Sequence, residues 1–301
     1  MKTFLVKVLA FFVLLFGIDR ISGVAFSYMS EHSKGGLTEH NQYLMNKTKE
    51  NVLVFGSSRA IHHYNPQIIS DSLGMSCYNC GLNGEGIIFY YGLWKNISKR
   101  YHPQIVIYDL YTTFDLIKGE DNHKFLGWLK ESYNNEDIKS IFESVDPTEK
   151  YKMLCQMYRY NSKFHQVIGD FIYPIREVKK NGFIPLKGEV DSMRIDRKYN
   201  PYGKYQLDSL KLHYLKKLVN EIGKTKLFIV VSPTWYGFNR EQLEPVLEIC
   251  RDFNIPLIDL SNDEAFLHND SLFKDGTHLN SLGADLFTKK MIESIEHKLM
   301  N

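Results

Sequence analysis

The chain has 301 residues, with 37 Lys and Arg against 35 Asp and Glu, and four cysteines. A net charge of +2 excludes the basic excess of a dedicated nucleic-acid binder, and so few cysteines exclude a disulfide-built scaffold. With 44% hydrophobic and 24% charged residues the composition is that of a packed globular protein, and a mean hydropathy of -0.30 excludes a polytopic membrane protein.

The chain opens with Lys2 and Lys7 before an apolar run over residues 8–18, closed by Asp19 and Arg20. A basic start followed by such a run predicts a signal anchor or a cleavable secretory signal over residues 1–29, with the remainder exported. The run is shorter than the roughly 20 apolar residues of a membrane span. Residues 30–50 are polar, contain Gly35-Gly36, and read as a stalk with a short helix.

From residue 51 the pattern changes. Residues 52–56 (VLVFG) are a short apolar, β-branched run ending in glycine, the signature of a buried parallel strand. Residues 75–79 are a second strand candidate, and residues 86–100 suit an amphipathic helix. IVIYDLY after Pro103-Gln104, KLFIVVS at 226–232 and PLIDL at 256–260 are the third, fourth and fifth strands. A helix fits residues 241–253, and apolar residues near helical spacing over 282–299 end the chain in an amphipathic helix. Strands alternating with helices predict an α/β fold: three layers, a doubly wound parallel sheet, spanning residues 51–301.

Residues 115–205 break the alternation. They hold no convincing strand and suggest helices near 135–145 and 147–170, so they read as a helical insertion. Its stretch 174–205 carries eight Lys and Arg against four Asp and Glu. That excess suits an anionic glycan or a lipid headgroup, although such runs more often form a solvated face. Cys77 and Cys80 form a C-x-x-C. Without a second pair or a following helix start they read as two small buried residues at a strand end, and Cys155 and Cys250 as core thiols.

Two short segments carry chemistry. Ser58 follows the first strand, at the sheet edge where ligands bind in open parallel sheets. A serine there is also a common helix cap. Asp275 and His278 form a D-x-x-H turn before the last helix. There a carboxylate can hold one imidazole nitrogen and leave the other free as a base, the Asp–His half of a hydrolytic triad. His62-His63 could bind a metal with Asp275, but adjacent histidines point apart and no carboxylate stands at a suitable local spacing, so neither metal nor cofactor is expected.

The order Ser58…Asp275…His278 resembles the SGNH, or GDSL-like, hydrolase superfamily. The resemblance implies Ser58 as nucleophile, with Ser57 in place of the usual aspartate, and the Asp275–His278 pair as its partner. It implies an oxyanion hole from the backbone N–H groups of Ser58 and Gly81, the latter within NCGLNG after the second strand. The family's third block carries Gly-x-Asn-Asp, whereas this chain has Asp109-Leu110-Tyr111-Thr112-Thr113. Thr112, Thr113 and Asn83 are the substitutes for the missing asparagine, and nothing in the sequence chooses among them. Arg59 and Trp235, with Tyr236 beside the latter, are further candidates for substrate contact, although an arginine there more often pairs with a neighbouring acid and an aromatic loop more often simply packs. The expected function is an exported, membrane-anchored serine esterase acting on O-acyl, most simply O-acetyl, esters of an envelope or extracellular glycan or on a small ester. An O-acyltransferase with the same triad and a non-catalytic envelope-assembly or glycan-binding protein are the alternatives.

Overall fold

The computed structural model describes residues 1–119, 121–174, 181–191, 195 and 203–300. Six of the eight basic residues of the stretch 174–205, namely Arg176, Lys179, Lys180, Arg194, Arg197 and Lys198, lie outside the described residues. In chain order the helices are α1 (Lys2–Glu31), α2 (Gly36–Asn46), α3 (Ser58–His63), α4 (Pro66–Leu73), α5 (Ile87–Ser98) and α6 (Thr112–Asp115). They continue as α7 (Glu136–Val145), α8 (Glu149–Lys152), α9 (Phe164–Ile172), α10 (Ser209–Glu221), α11 (Glu244–Asp252) and α12 (Ser281–Met300). The strands are β1 (Val52–Gly56), β2 (Cys77–Asn79), β3 (Ile105–Asp109), β4 (Lys226–Val231) and β5 (Leu257–Asp259). The chain divides into two units, one of Met1–Lys47 with Asn122–Glu177 and one of Thr48–Asp121 with Val178–Asn301.

The second unit holds the sheet. Its order is β2-β1-β3-β4-β5 and every pairing is parallel, as expected from the apolar runs. β1 and β3 are buried at every position, the reason both read as continuous apolar segments rather than alternating ones. Side chains still alternate between faces. Val52, Val54, Ile105, Ile107, Phe228 and Val230 share a core with Phe287, Met291, Ile292 and Ile295 of α12. Phe55 and Tyr108 point the other way and meet Tyr90 of α5, with ring centroids 5.3 and 5.8 Å apart. Helices therefore cover both faces. The strand order reverses between β1 and β3, and in such sheets the crevice beyond the carboxyl ends of those two strands is where ligands bind. Gly56, the last residue of β1, has φ of +138°, and a Cβ there would lie 2.8 Å from Asp109 Cβ. Glycine lets the chain turn sharply into α3 against the end of β3.

The first unit gathers the N-terminal segment and part of the insertion. The short helix expected within residues 30–50 is α2, which buries Thr38, Asn41, Leu44 and Met45. Asp170 of α9 accepts the Thr38 N–H at 2.9 Å, and Gln42 donates to Glu131 Oε2 at 2.9 Å. The N-terminal run lies in α1, but no helix among the described residues is long and apolar enough to cross a membrane. The single helix expected over 147–170 is instead α8, a 3-10 helix at Met157–Tyr160 and α9. Ser162, with φ of 63°, breaks the helical path before α9. Cys155, expected in the core, is instead exposed in the turn between α8 and the 3-10 helix, where its Sγ–H is donated to Asp19 Oδ1 at 2.9 Å. Cys77, Cys80 and Cys250 are buried free thiols. Burial pushes the first two well above the usual thiol range and Cys250 up to about 11.

Candidate active site

Ser58 is the first residue of α3, and Ser57 stands at the cap position without a side-chain capping bond. The predicted alternative role for Ser58, a helix cap, is therefore not the one it fills. Its Oγ lies 2.8 Å from His278 Nε2, although the two residues are 220 positions apart. His278 Nδ1 lies 2.9 Å from Asp275 Oδ2 and 3.0 Å from Oδ1. A carboxylate can only accept, so the hydrogen-bond pattern assigns the proton to Nδ1 and leaves Nε2 to accept from the Ser58 hydroxyl.

The turn is built to aim these groups. Asp275 Oδ1 accepts the backbone N–H groups of Thr277 and His278 at 2.8 and 2.9 Å, so one carboxylate closes the loop and orients the ring. Partial burial works against the ionised form, but the His278 ring and those two amides outweigh it and hold Asp275 well below the usual carboxylate range. The Asp275 side chain stays 53% exposed and that of His278 23%, so the pair faces solvent on one side.

Arg59, expected as a substrate contact or a structural pair, is 1% exposed. Its Nε donates to Asp109 Oδ2 at 3.3 Å and its Nη2 to the Leu110 carbonyl at 2.7 Å, while the guanidinium lies over the Tyr111 ring at 4.6 Å. It ties α3 to the end of β3. The Gly81 N–H donates to Asn79 Oδ1 at 2.9 Å, and a Cβ at Gly81 would fall 2.4 Å from the Ile61 nitrogen. Close approach to α3 thus requires this glycine whatever its amide does, and the amide already has an acceptor. Thr112 is 2% exposed and its hydroxyl donates to Gln242 Oε1 at 3.0 Å, which removes it from contact with a substrate. Asn83 is exposed in the turn after β2. Trp235 donates its indole N–H to Asp270 Oδ1 at 2.7 Å and its backbone N–H to the Gly276 carbonyl at 3.0 Å. It buttresses the Asp275–His278 turn, a role the aromatic pair at 235–236 did not announce.

Sequence reasoning treated His63 only as half of a rejected metal pair. It is fully buried, and its Nε2 accepts the backbone N–H of Leu279 at 3.0 Å, one residue beyond His278. Its Nδ1 therefore carries the proton and meets Ser232 Oγ at 3.1 Å. Ser232 in turn bonds the Tyr64 hydroxyl, which donates to Asp109 Oδ1 at 2.7 Å. Burial, with the positive Arg59 next in weight, holds the His63 imidazole well below its ordinary value, so it stays neutral. A buried polar chain thus runs from the His278 turn to Arg59, beside Ser58. The one sequence signal was position: a histidine on the helix that carries the candidate nucleophile.

No protein-family profile matches the chain, and no curated protein matches it. Among solved structures it is similar to one described as a platelet activating factor from Streptococcus pneumonia, at 10% identity over 91% of this chain and 98% of that one, with a TM-score of 0.41. It is similar also to BT4096, a gut microbial diltiazem-metabolizing enzyme, at 11% identity over 83% of this chain and 48% of that one, with a TM-score of 0.40.

Proposed function

We propose that the chain is a serine esterase of the SGNH type, exported and held at a membrane by its N-terminal segment, that cleaves O-acyl esters of an envelope or extracellular glycan, most simply O-acetyl groups. The observation that carries the catalytic half is the unbroken line Ser58 Oγ, His278 Nε2, His278 Nδ1, Asp275 carboxylate, each contact between 2.8 and 3.0 Å. A serine hydroxyl is a weak nucleophile until a base takes its proton. In this reading His278 Nε2 accepts that proton as Ser58 Oγ attacks the acyl carbon, and Asp275 stabilises the imidazolium. The Ser58 N–H, in the first turn of α3 where amides lack intrahelical acceptors, meets the developing oxyanion. Such a donor contributes about 3 kcal/mol. The Gly81 amide joins it only by sharing the hydrogen now held by Asn79. His278 then returns the proton to the leaving alcohol. Water, deprotonated by the same ring, releases the acid and restores Ser58.

The test is hydrolysis of short-chain aryl esters by the wild type and by Ser58→Ala. The substitution is expected to lower turnover by about four to six orders of magnitude. Full activity in Ser58→Ala overturns the site. Absence of both ester cleavage and serine-directed labelling in the wild type overturns the esterase reading.

A further inference from the structure

Asp19 and Arg20 are the two charges that cut short the apolar run of α1, and both are occupied by residues 154–157. Asp19 Oδ2 accepts the Gln156 N–H at 2.9 Å, and its Oδ1 accepts the Met157 N–H and the Cys155 thiol, each at 2.9 Å. Arg20 pairs with Asp19 at 3.1 Å and donates to the Leu154 carbonyl. The 3-10 helix Met157–Tyr160 receives no side-chain cap from its own cap residue, Gln156. Asp19 supplies that cap from 138 residues away, satisfying amides that a helix start otherwise leaves open.

The clamp sets an apolar loop beside an apolar helix. Tyr151, Leu154 and Met157 are 65%, 68% and 43% exposed. With Phe12, Leu15, Phe16 and Ile18 of α1 they line a hollow of about 850 Å³. On α1 the consecutive residues Phe11, Phe12, Val13, Leu14, Leu15 and Phe16 are all exposed, by 44% at the least. Successive helical residues step around the axis by a little over a quarter turn, so this apolar surface faces every direction. An amphipathic helix in a protein groove needs one apolar stripe; a helix apolar all round belongs in a core or in lipid.

We propose that residues 8–18 of α1 insert among lipid acyl chains and that residues 151–157, held by Asp19, form a second membrane-contacting element at headgroup depth. The inference rests on the membrane placement in the function proposed above and adds the loop and its clamp to it. Asp19 and Arg20 then stand at the bilayer boundary paired with each other and bound to the backbone of residues 154–157, the form in which charge is tolerated there.

The experiment uses the full chain reconstituted in vesicles of phosphatidylethanolamine and phosphatidylglycerol. Single labelling sites are made in a Cys155→Ser background by Phe12→Cys, Leu154→Cys and, as a control on exposed Ser140, Ser140→Cys. Each carries an environment-sensitive fluorophore challenged with nitroxide lipids. The Phe12 probe is expected to lose most of its fluorescence to deep nitroxides and the Leu154 probe to shallow ones, with the Ser140 probe unchanged. Asp19→Ala is expected to abolish quenching at Leu154 and preserve it at Phe12, and the milder Asp19→Asn to reduce it, each checked by circular dichroism. Quenching at Phe12 alone in the unclamped and clamped chains overturns the loop while sparing the membrane placement. Quenching at neither overturns both. A Leu154 probe that is shielded without lipid quenching points to a protein partner and overturns the proposal.

Discussion

Two acid–base pairs flank the start of α3, and they are held in opposite ways. His278 and Asp275 form a turn that opens to solvent on one side, with the carboxylate half exposed. Arg59 and Asp109 are 1% and 0% exposed; Arg59 also reaches the Leu110 carbonyl and the face of Tyr111, and Asp109 also accepts from the Tyr64 hydroxyl. A solvent-facing pair costs less stability to break than a buried one. A buried pair is costly to break, because either partner left alone is an uncompensated charge in the core. In the proposed reading the first pair does the chemistry and the second, tied to β3, aligns Ser58.

Substitutions separate the two roles. His278→Ala is expected to lower ester turnover by about four to six orders of magnitude and Asp275→Asn by about four. His278→Ala is expected to leave the denaturation midpoint nearly unchanged. Asp275→Asn is expected to lower it, because the carboxylate accepts the Thr277 and His278 amides and is favoured in its ionised form, but by less than the loss of a buried partner. Asp109→Ala should have the larger effect on stability, lowering it by about 3–5 kcal/mol in chemical denaturation. Equal midpoint shifts for Asp109→Ala and Asp275→Asn contradict the division.

His63 links the pairs and sharpens the comparison. His63→Phe keeps an aromatic ring but leaves the Leu279 N–H without an acceptor, at an expected cost of about 1–3 kcal/mol. His63→Gln can present an oxygen near Nε2 and is expected to recover part of that loss, together with kcat more than KM. The sign of its pH effect follows from its lowered value. In the unfolded chain the imidazole takes up a proton below about pH 6.5, whereas in the folded chain it does not. Acidification from that point therefore favours unfolding, and stability should fall as pH drops through the interval until the buried ring itself is protonated. A flatter profile in His63→Gln checks the assignment. The smallest expected effect is that of Trp235→Phe, which gives up the bond to Asp270 for about 0.5–1.5 kcal/mol.

The sheet was legible because each strand is a local event: a few β-branched residues closed by glycine, proline or a polar turn. The Ser58 and Asp275–His278 segments were legible because the residues are of few chemical types and fall at strand and helix boundaries. Helix α10 escaped notice, since Lys211, Lys216 and Lys217 interrupt its apolar pattern; Lys211 is fully buried and binds the Thr113 and Ile117 carbonyls. His63 escaped because its significance lies in a bond to Leu279, 216 residues away. The same holds for Asp19, which in the sequence merely interrupts an apolar run and in the fold caps a distant turn.

The anchoring of Arg59 on the end of β3 has a practical reach. The neighbour of Ser58 is fastened to a strand that does not precede it, so replacements at buried Arg59, Tyr64 or Asp109 are expected to shift the aim of the hydroxyl. On the proposed esterase reading, a library seeking new substrates should leave those three codons untouched and vary Asn83 in the exposed turn after β2.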